Sequence, residues 1–236
     1  MNTYRVYPNE TDLARAAAEQ FIALADKAIA TRGQFNVALA GGSTPRATYT
    51  LLAEDEFAKS VEWPCIHVFW GDERCVPPDH LDSNYGMVRE TLMDKVPLPH
   101  ENIHRIRGEL PPQQAAMSYH QELIQFLVIN GRFDLILLGM GADGHTASLF
   151  PGTKALEERT RWVMENYIES LGSWRITLTQ TMINAARQVM FLLSGAAKAE
   201  TLARIRSGER LPAALVHPSS GQLTWLIDAK AAGQKK

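Results

Sequence analysis

The chain has 236 residues, of which 45 % are hydrophobic and 21 % charged, a composition of globular proteins rather than disordered or fibrous ones. Its formal net charge of −2 and lack of any basic block leave no cationic face for sequence-independent nucleic-acid binding. Its apolar runs fall far short of the roughly 20 residues that cross a bilayer, and residues 1–8 carry no apolar core of signal-peptide length, so a cytoplasmic location with no membrane partner is expected.

In chain order, residues 13–30 carry the first amphipathic pattern and predict a helix. Phe35-Asn36-Val37-Ala38-Leu39-Ala40 reads as the first sheet strand, which leaves about 34 residues ahead of the sheet. A Gly-rich turn follows, then a helix from about Pro45. Residues 66–70 form the next strand, flanked by Cys65 and Cys75. An extended run of that length holds the two thiols apart, so no disulfide is expected between them and both are assigned a buried structural role. Residues 84–93 predict a helix, the proline-rich stretch 97–112 a loop, and 113–129 another helix. Residues 133–138 and 188–193 are nearly continuous apolar strands, 162–165, 175–178 and 224–227 are weaker strand candidates, and 196–206 predict the last helix.

Continuous apolar strands are buried on both faces, as in parallel sheets. Their alternation with helices predicts an α/β fold built on a mostly parallel sheet with helices on both faces, in one domain spanning 1–236. Ligands in such folds sit beyond the carboxyl ends of the strands, which singles out four turns.

The first turn, Gly41-Gly42-Ser43-Thr44-Pro45-Arg46, opens a helix. Ser43 or Thr44 is expected to cap it, Pro45 suits its first turn, and its free N–H groups favour phosphate. The second, Gly71-Asp72-Glu73-Arg74, presents in Arg74 a planar fork of donors for an anion. The third, Gly139-Met140-Gly141-Ala142-Asp143-Gly144-His145, places an imidazole that exchanges protons near neutral pH two residues from a carboxylate able to orient it. The fourth, Ser194-Gly195-Ala196-Ala197-Lys198, puts a cation in the first turn of a helix, where the dipole disfavours it unless an anion is bound.

Two pattern matches are set aside. His100-Glu101-Asn102-Ile103-His104 fits the zinc-protease spacing, but Pro97, Pro99, Pro111 and Pro112 surround it, and the motif needs a regular helix. Gly139-Met140-Gly141-Ala142-Asp143-Gly144 fits the dinucleotide-binding spacing, but Pro151 leaves room for only a short helix, and Asp143 would set a negative charge against the pyrophosphate.

Taken together, Gly41-Gly42-Ser43-Thr44-Pro45, Gly71-Asp72-Glu73-Arg74-Cys75-Val76-Pro77, Ser83-Asn84-Tyr85, the run from Gly139 to Gly152, Arg175-Ile176-Thr177-Leu178-Thr179, Leu211-Pro212-Ala213-Ala214 and Trp225-Leu226-Ile227-Asp228 resemble the 6-phosphogluconolactonase family over about residues 5 to 230. The resemblance implies a modified Rossmann-like three-layer sandwich, shared with glucosamine-6-phosphate deaminases. It implies hydrolysis of 6-phospho-D-glucono-1,5-lactone to 6-phospho-D-gluconate, the second step of the oxidative pentose phosphate pathway, without metal or organic cofactor. It places the catalytic base on His145, and phosphate or substrate contacts on Arg74, Lys198 and the loop Gly42, Ser43 and Thr44. Asp143 is assigned the orientation of the imidazole. The partner is then a small phosphorylated sugar lactone, and monomer and dimer both remain open.

Two rival functions are weighed. A sugar-phosphate deaminase-isomerase of the same superfamily carries an Asn-Glu pair shortly after the histidine, where this chain has Leu149-Phe150-Pro151. A non-catalytic sugar-phosphate sensor would need a DNA-binding module, and the stretch before residue 35 has no room for one. A serine nucleophile is also considered, but Ser43 lies in no G-x-S-x-G elbow.

Overall fold

The computed structural model describes residues 2–127 and 132–234. Among these, the sheet begins earlier than the sequence suggests. Strand β1 (Asn2–Tyr7) precedes helix α1 (Glu10–Arg32) and is an edge strand of the main sheet. The count of about 34 residues ahead of the sheet is therefore wrong: β1 lacks the continuous apolar run of an interior strand because it is paired on one side only.

Helix α1 starts where the Asn9 side chain accepts a hydrogen bond from the Asp12 amide at 2.9 Å, and it stops at Gly33. Its buried stripe, Leu13, Ala14, Ala17, Ala18, Phe21, Ala25 and Ala28, is mostly alanine, which lets the helix lie close on the sheet. Strands β2 (Phe35–Leu39), β3 (Ile66–Trp70), β5 (Leu135–Leu138), β8 (Gln188–Leu193) and β9 (Gln222–Asp228) complete the parallel six-stranded sheet in the order β1-β9-β8-β5-β2-β3. Every residue of β2, β5 and β8 is buried, as their apolar runs require.

Helices cover both faces. Phe21 of α1 meets Phe35 edge-on at 5.3 Å, while Phe126 of α5 (Pro112–Leu127) meets Phe69 at 5.2 Å. The β2–β3 register pairs Phe35 with Ile66 and Ala38 with Phe69, so Phe35 and Phe69 point to opposite faces and α1 and α5 lie on opposite sides. The predicted helix 113–129 runs past Leu127 into residues outside the described range.

The chain also contains helices α2 (Ser43–Leu52), α3 (Asp55–Ala58) and α4 (Asn84–Thr91), and later α6 (Gln180–Asn184) and α7 (Ala199–Arg206). Strands β4 (Asp72–Arg74), β6 (Val163–Ile168) and β7 (Ser173–Leu178) form a separate antiparallel sheet in the order β4-β7-β6. Cys65 and Cys75 are free, as expected, but both are partly exposed rather than buried. Burial of its sulfur nonetheless pushes the Cys75 thiol up to about 11, with Arg175 pulling against it.

Candidate active site

The order of the main sheet reverses at β2. From β2 the chain passes outward to β3 on one side, and later to β5, β8 and β9 on the other. In doubly wound sheets the crevice at such a reversal is where ligands bind. A cleft of about 590 Å³ opens there, and Gly42, Ser43, Thr44, Arg74, Asp143, His145 and Lys198 all line it.

The loop after β5 fixes the imidazole from three directions. His145 Nδ1 lies 2.6 Å from Asp143 Oδ1, and the same oxygen accepts the His145 amide at 3.1 Å. A carboxylate can only accept, so a neutral His145 carries its proton on Nδ1 and leaves Nε2 as the base. The ring stacks on Phe150 at 3.9 Å with an interplanar angle of 17°. A Cβ on Gly141 would overlap both the imidazole and the Asp143 carboxylate, so the position requires glycine. Partial burial acts to raise the Asp143 carboxyl, but the His145 amide, the His145 charge and the side-chain bond outweigh it and hold the group below its ordinary value. Next in the loop, Ala147 lines the cleft in the left-handed region at φ 46°, a rare conformation for a residue with a Cβ.

The loop after β2 supplies amides. Gly42 occupies the N-cap of α2 and makes no side-chain cap bond. Ser43 and Thr44 therefore do not cap the helix; they are its first two residues. Their N–H groups have no partner within the helix, and Pro45 has none to offer.

The third element comes from the small sheet. Antiparallel β4 and β7 place Arg74 directly opposite Arg175, and both line the cleft. Like charges in direct register are unfavourable in the absence of an anion. Burial, and then the charge of Arg74, push the Arg175 guanidinium below its ordinary value. Arg175 heads one of the runs that resemble the family, but the sequence assigns it no site role, because no local spacing relates it to Arg74; only the strand register does.

Carboxylates hold this side in place. Buried Glu73 accepts from the amides of Arg74 at 2.8 Å, Asn84 at 2.8 Å and Tyr85 at 2.7 Å, and from Ser83 Oγ at 3.1 Å. Burial raises the Glu73 carboxyl in spite of these bonds. Asp72, which also lines the cleft, accepts from Ser148 Oγ at 2.6 Å. On the other flank Lys198 sits in a short 3-10 turn, residues Ala196–Lys198, immediately before α7 rather than inside it.

The two pattern matches that were set aside have other structures. His100 begins a three-residue 3-10 turn, and His104 Nδ1 lies 2.9 Å from Glu122, so the two histidines do not share a helix face. The glycine-rich run after β5 continues into turns, and among the described residues only a three-residue 3-10 turn, Lys154–Leu156, and no α-helix follows it before β6.

Comparison with known proteins shows the family. Residues 8–225 match the family model described as glucosamine-6-phosphate isomerases/6-phosphogluconolactonase. The 6-phosphogluconolactonase of Nostoc sp. is 42 % identical over 241 residues, covering 98 % of each chain. That of Synechocystis sp. is 44 % identical over 214 residues, covering 87 % of this chain and 86 % of its own. The solved 6-phosphogluconolactonase from Trypanosoma cruzi superposes with a TM-score of 0.88 at 28 % identity, covering 99 % of this chain and 96 % of that one.

Proposed function

The chain belongs to the family of glucosamine-6-phosphate isomerases and 6-phosphogluconolactonases and is a lactone-hydrolysing enzyme of the pentose phosphate pathway; we propose that it opens 6-phospho-D-glucono-1,5-lactone with His145 as the general base. The observation that carries this reading is the Asp143–His145 pair, which turns Nδ1 toward the carboxylate and leaves Nε2 free of that partner inside a cleft flanked by cations.

In this mechanism the substrate's phosphate is held by the amides of Ser43 and Thr44 at the start of α2 and by the charges of Arg74, Arg175 and Lys198. An anion also relieves the repulsion between the two opposed guanidiniums. Binding the remote phosphate positions the reacting carbonyl. His145 Nε2 takes a proton from water as the water oxygen bonds to C1. The tetrahedral intermediate then breaks the bond between C1 and the ring oxygen, and the imidazolium returns its proton to that oxygen. Asp143 keeps the tautomer correct and stabilises the imidazolium without itself being protonated. General-base assistance of this kind is worth about 10²–10⁴ in rate. No step calls on a metal or an organic cofactor. A cytoplasmic setting fits the proposal, and no helix among the described residues is long and apolar enough to cross a membrane.

The direct test measures acid release from freshly prepared 6-phosphogluconolactone, with spontaneous hydrolysis subtracted. Turnover above background by the wild-type chain and its loss in His145→Ala are expected. Near-normal turnover in the histidine variant would remove the proposed base, and an acyl-enzyme trapped on quenching would replace it with a serine route.

A further inference from the structure

Strand β9 ends at Asp228 beside the end of β8, with Leu193 paired to Ile227. Asp228 is 2 % exposed. Among the described residues it makes no ion pair. It accepts instead from Ser194 Oγ at 2.8 Å, from the Gly195 amide at 3.1 and 3.2 Å through its two oxygens, and from the Ala231 amide at 2.6 Å. A buried carboxylate without a counter-ion is costly and persists only when well-placed donors satisfy it. Two of its three donor residues belong to the turn that carries Lys198.

Gly195 has φ 94°, and a Cβ there would meet nothing within 4 Å, so glycine is needed for the backbone angle and not for space. The Gly195 carbonyl accepts the Lys198 amide at 3.1 Å. Asp228 thus grips Gly195 by its N–H while Gly195 grips Lys198 by its carbonyl. Ser194 and Lys198 both face the cleft, whereas Asp228 does not line it.

We propose that Asp228 is a positioning residue that acts through Ser194 and Gly195 to hold Lys198 at the phosphate end of the cleft. The inference rests on the reading of Lys198 as a substrate ligand and adds the group that sets its reach. With the α2 amides, Arg74 and Arg175 still holding the phosphate, the carbonyl stays positioned when Lys198 is displaced, and the binding lost is shared by ground and transition states, so KM rises and kcat is spared.

The test is steady-state kinetics on fresh 6-phosphogluconolactone for Asp228→Asn, Ser194→Ala, Lys198→Ala and the doubles that combine each of the first two with the third. Lys198→Ala is expected to raise KM about tenfold or more, and Asp228→Asn and Ser194→Ala about threefold to tenfold, with kcat within about twofold of wild type. In the doubles KM should match that of Lys198→Ala alone, since the turn then has no cation left to position. Multiplicative effects in the doubles, an unchanged KM in the single variants at Asp228 and Ser194, or a kcat loss without a KM change would overturn the role of Asp228. An unchanged KM in Lys198→Ala is a separate result, and it removes Lys198 from the phosphate site. Should Asp228→Asn fail to fold, Ser194→Ala keeps the carboxylate and carries the same expectations.

Discussion

Gly141 and the His145 imidazole are in such close contact that a Cβ on the glycine would occupy the space of the ring's Nδ1 and Cε1 atoms. Gly141→Ala should therefore push the imidazole off its seat on Phe150 while leaving the strand that ends at Leu138 intact. We expect kcat to fall by about 10²–10³, within the range that general-base assistance supplies, with the melting temperature little changed. Retention of wild-type kcat would show that the ring's position is not critical.

Asp143 gives a prediction in which the conservative change does more harm than the drastic one. An asparagine in its place would donate its amide to Nδ1 and drive the imidazole proton to Nε2, so the base is lost. Asp143→Asn should lower kcat by about 10²–10⁴. Asp143→Ala leaves Nδ1 free to donate to water and should retain more activity than the asparagine variant. The reverse order, measured on the same substrate preparation, would mean that Asp143 acts through its charge alone.

The opposed Arg74 and Arg175 make a prediction that separates binding from stability. Inorganic phosphate should raise the melting temperature of the wild type by occupying the space between the guanidiniums. Arg175→Ala should weaken that effect and raise KM, yet leave the ligand-free protein as stable as before or slightly more so, because a like-charge pair in register has been removed. Equal phosphate stabilisation in wild type and variant would place the anion elsewhere.

How far the site could be read from sequence depends on how local each part is. The turns after β2, β3, β5 and β8 announce themselves, because each follows an apolar run and contains glycine together with a charged or hydroxyl residue. Arg175 carries no such mark: its place beside Arg74 depends on an antiparallel pairing between segments about a hundred positions apart. Strand β1 is hard to read for a related reason. As an edge strand it is open to solvent and lacks the unbroken hydrophobicity that identifies β5. The capping role expected of Ser43 or Thr44 was displaced by Gly42, whose φ of 103° no serine or threonine adopts readily.

Away from the cleft, His67 should govern part of the acid response. It lies 3.3 Å from His104, and burial, with the charge of His104 adding to it, pushes it from 6.5 to about 4. Its native form thus resists a proton that the unfolded chain accepts. Its contribution to stability is complete above about pH 6.5 and is lost as pH falls toward about 4. Between about pH 7 and pH 5 the loss should be on the order of 1 kcal/mol, discounted for the ring's partial exposure. Denaturant titrations of His67→Phe at both pH values should show a smaller difference than the wild type, and an equal difference would assign the acid sensitivity to other groups.

The pairing of β1 with β9 has a consequence for how the molecule is made. Among the described residues strand β1 hydrogen-bonds to no other strand of the sheet, and its register joins Asn2 to Leu223 and Tyr7 to Asp228. During synthesis β1 must wait for β9, about 220 residues later in the sequence, before this pairing can form. Contacts so distant in sequence are slow to form. Losing β9 would leave β1 without its neighbour in the sheet and β8 with an open edge, so damage to one strand undoes another that lies about 220 residues before it.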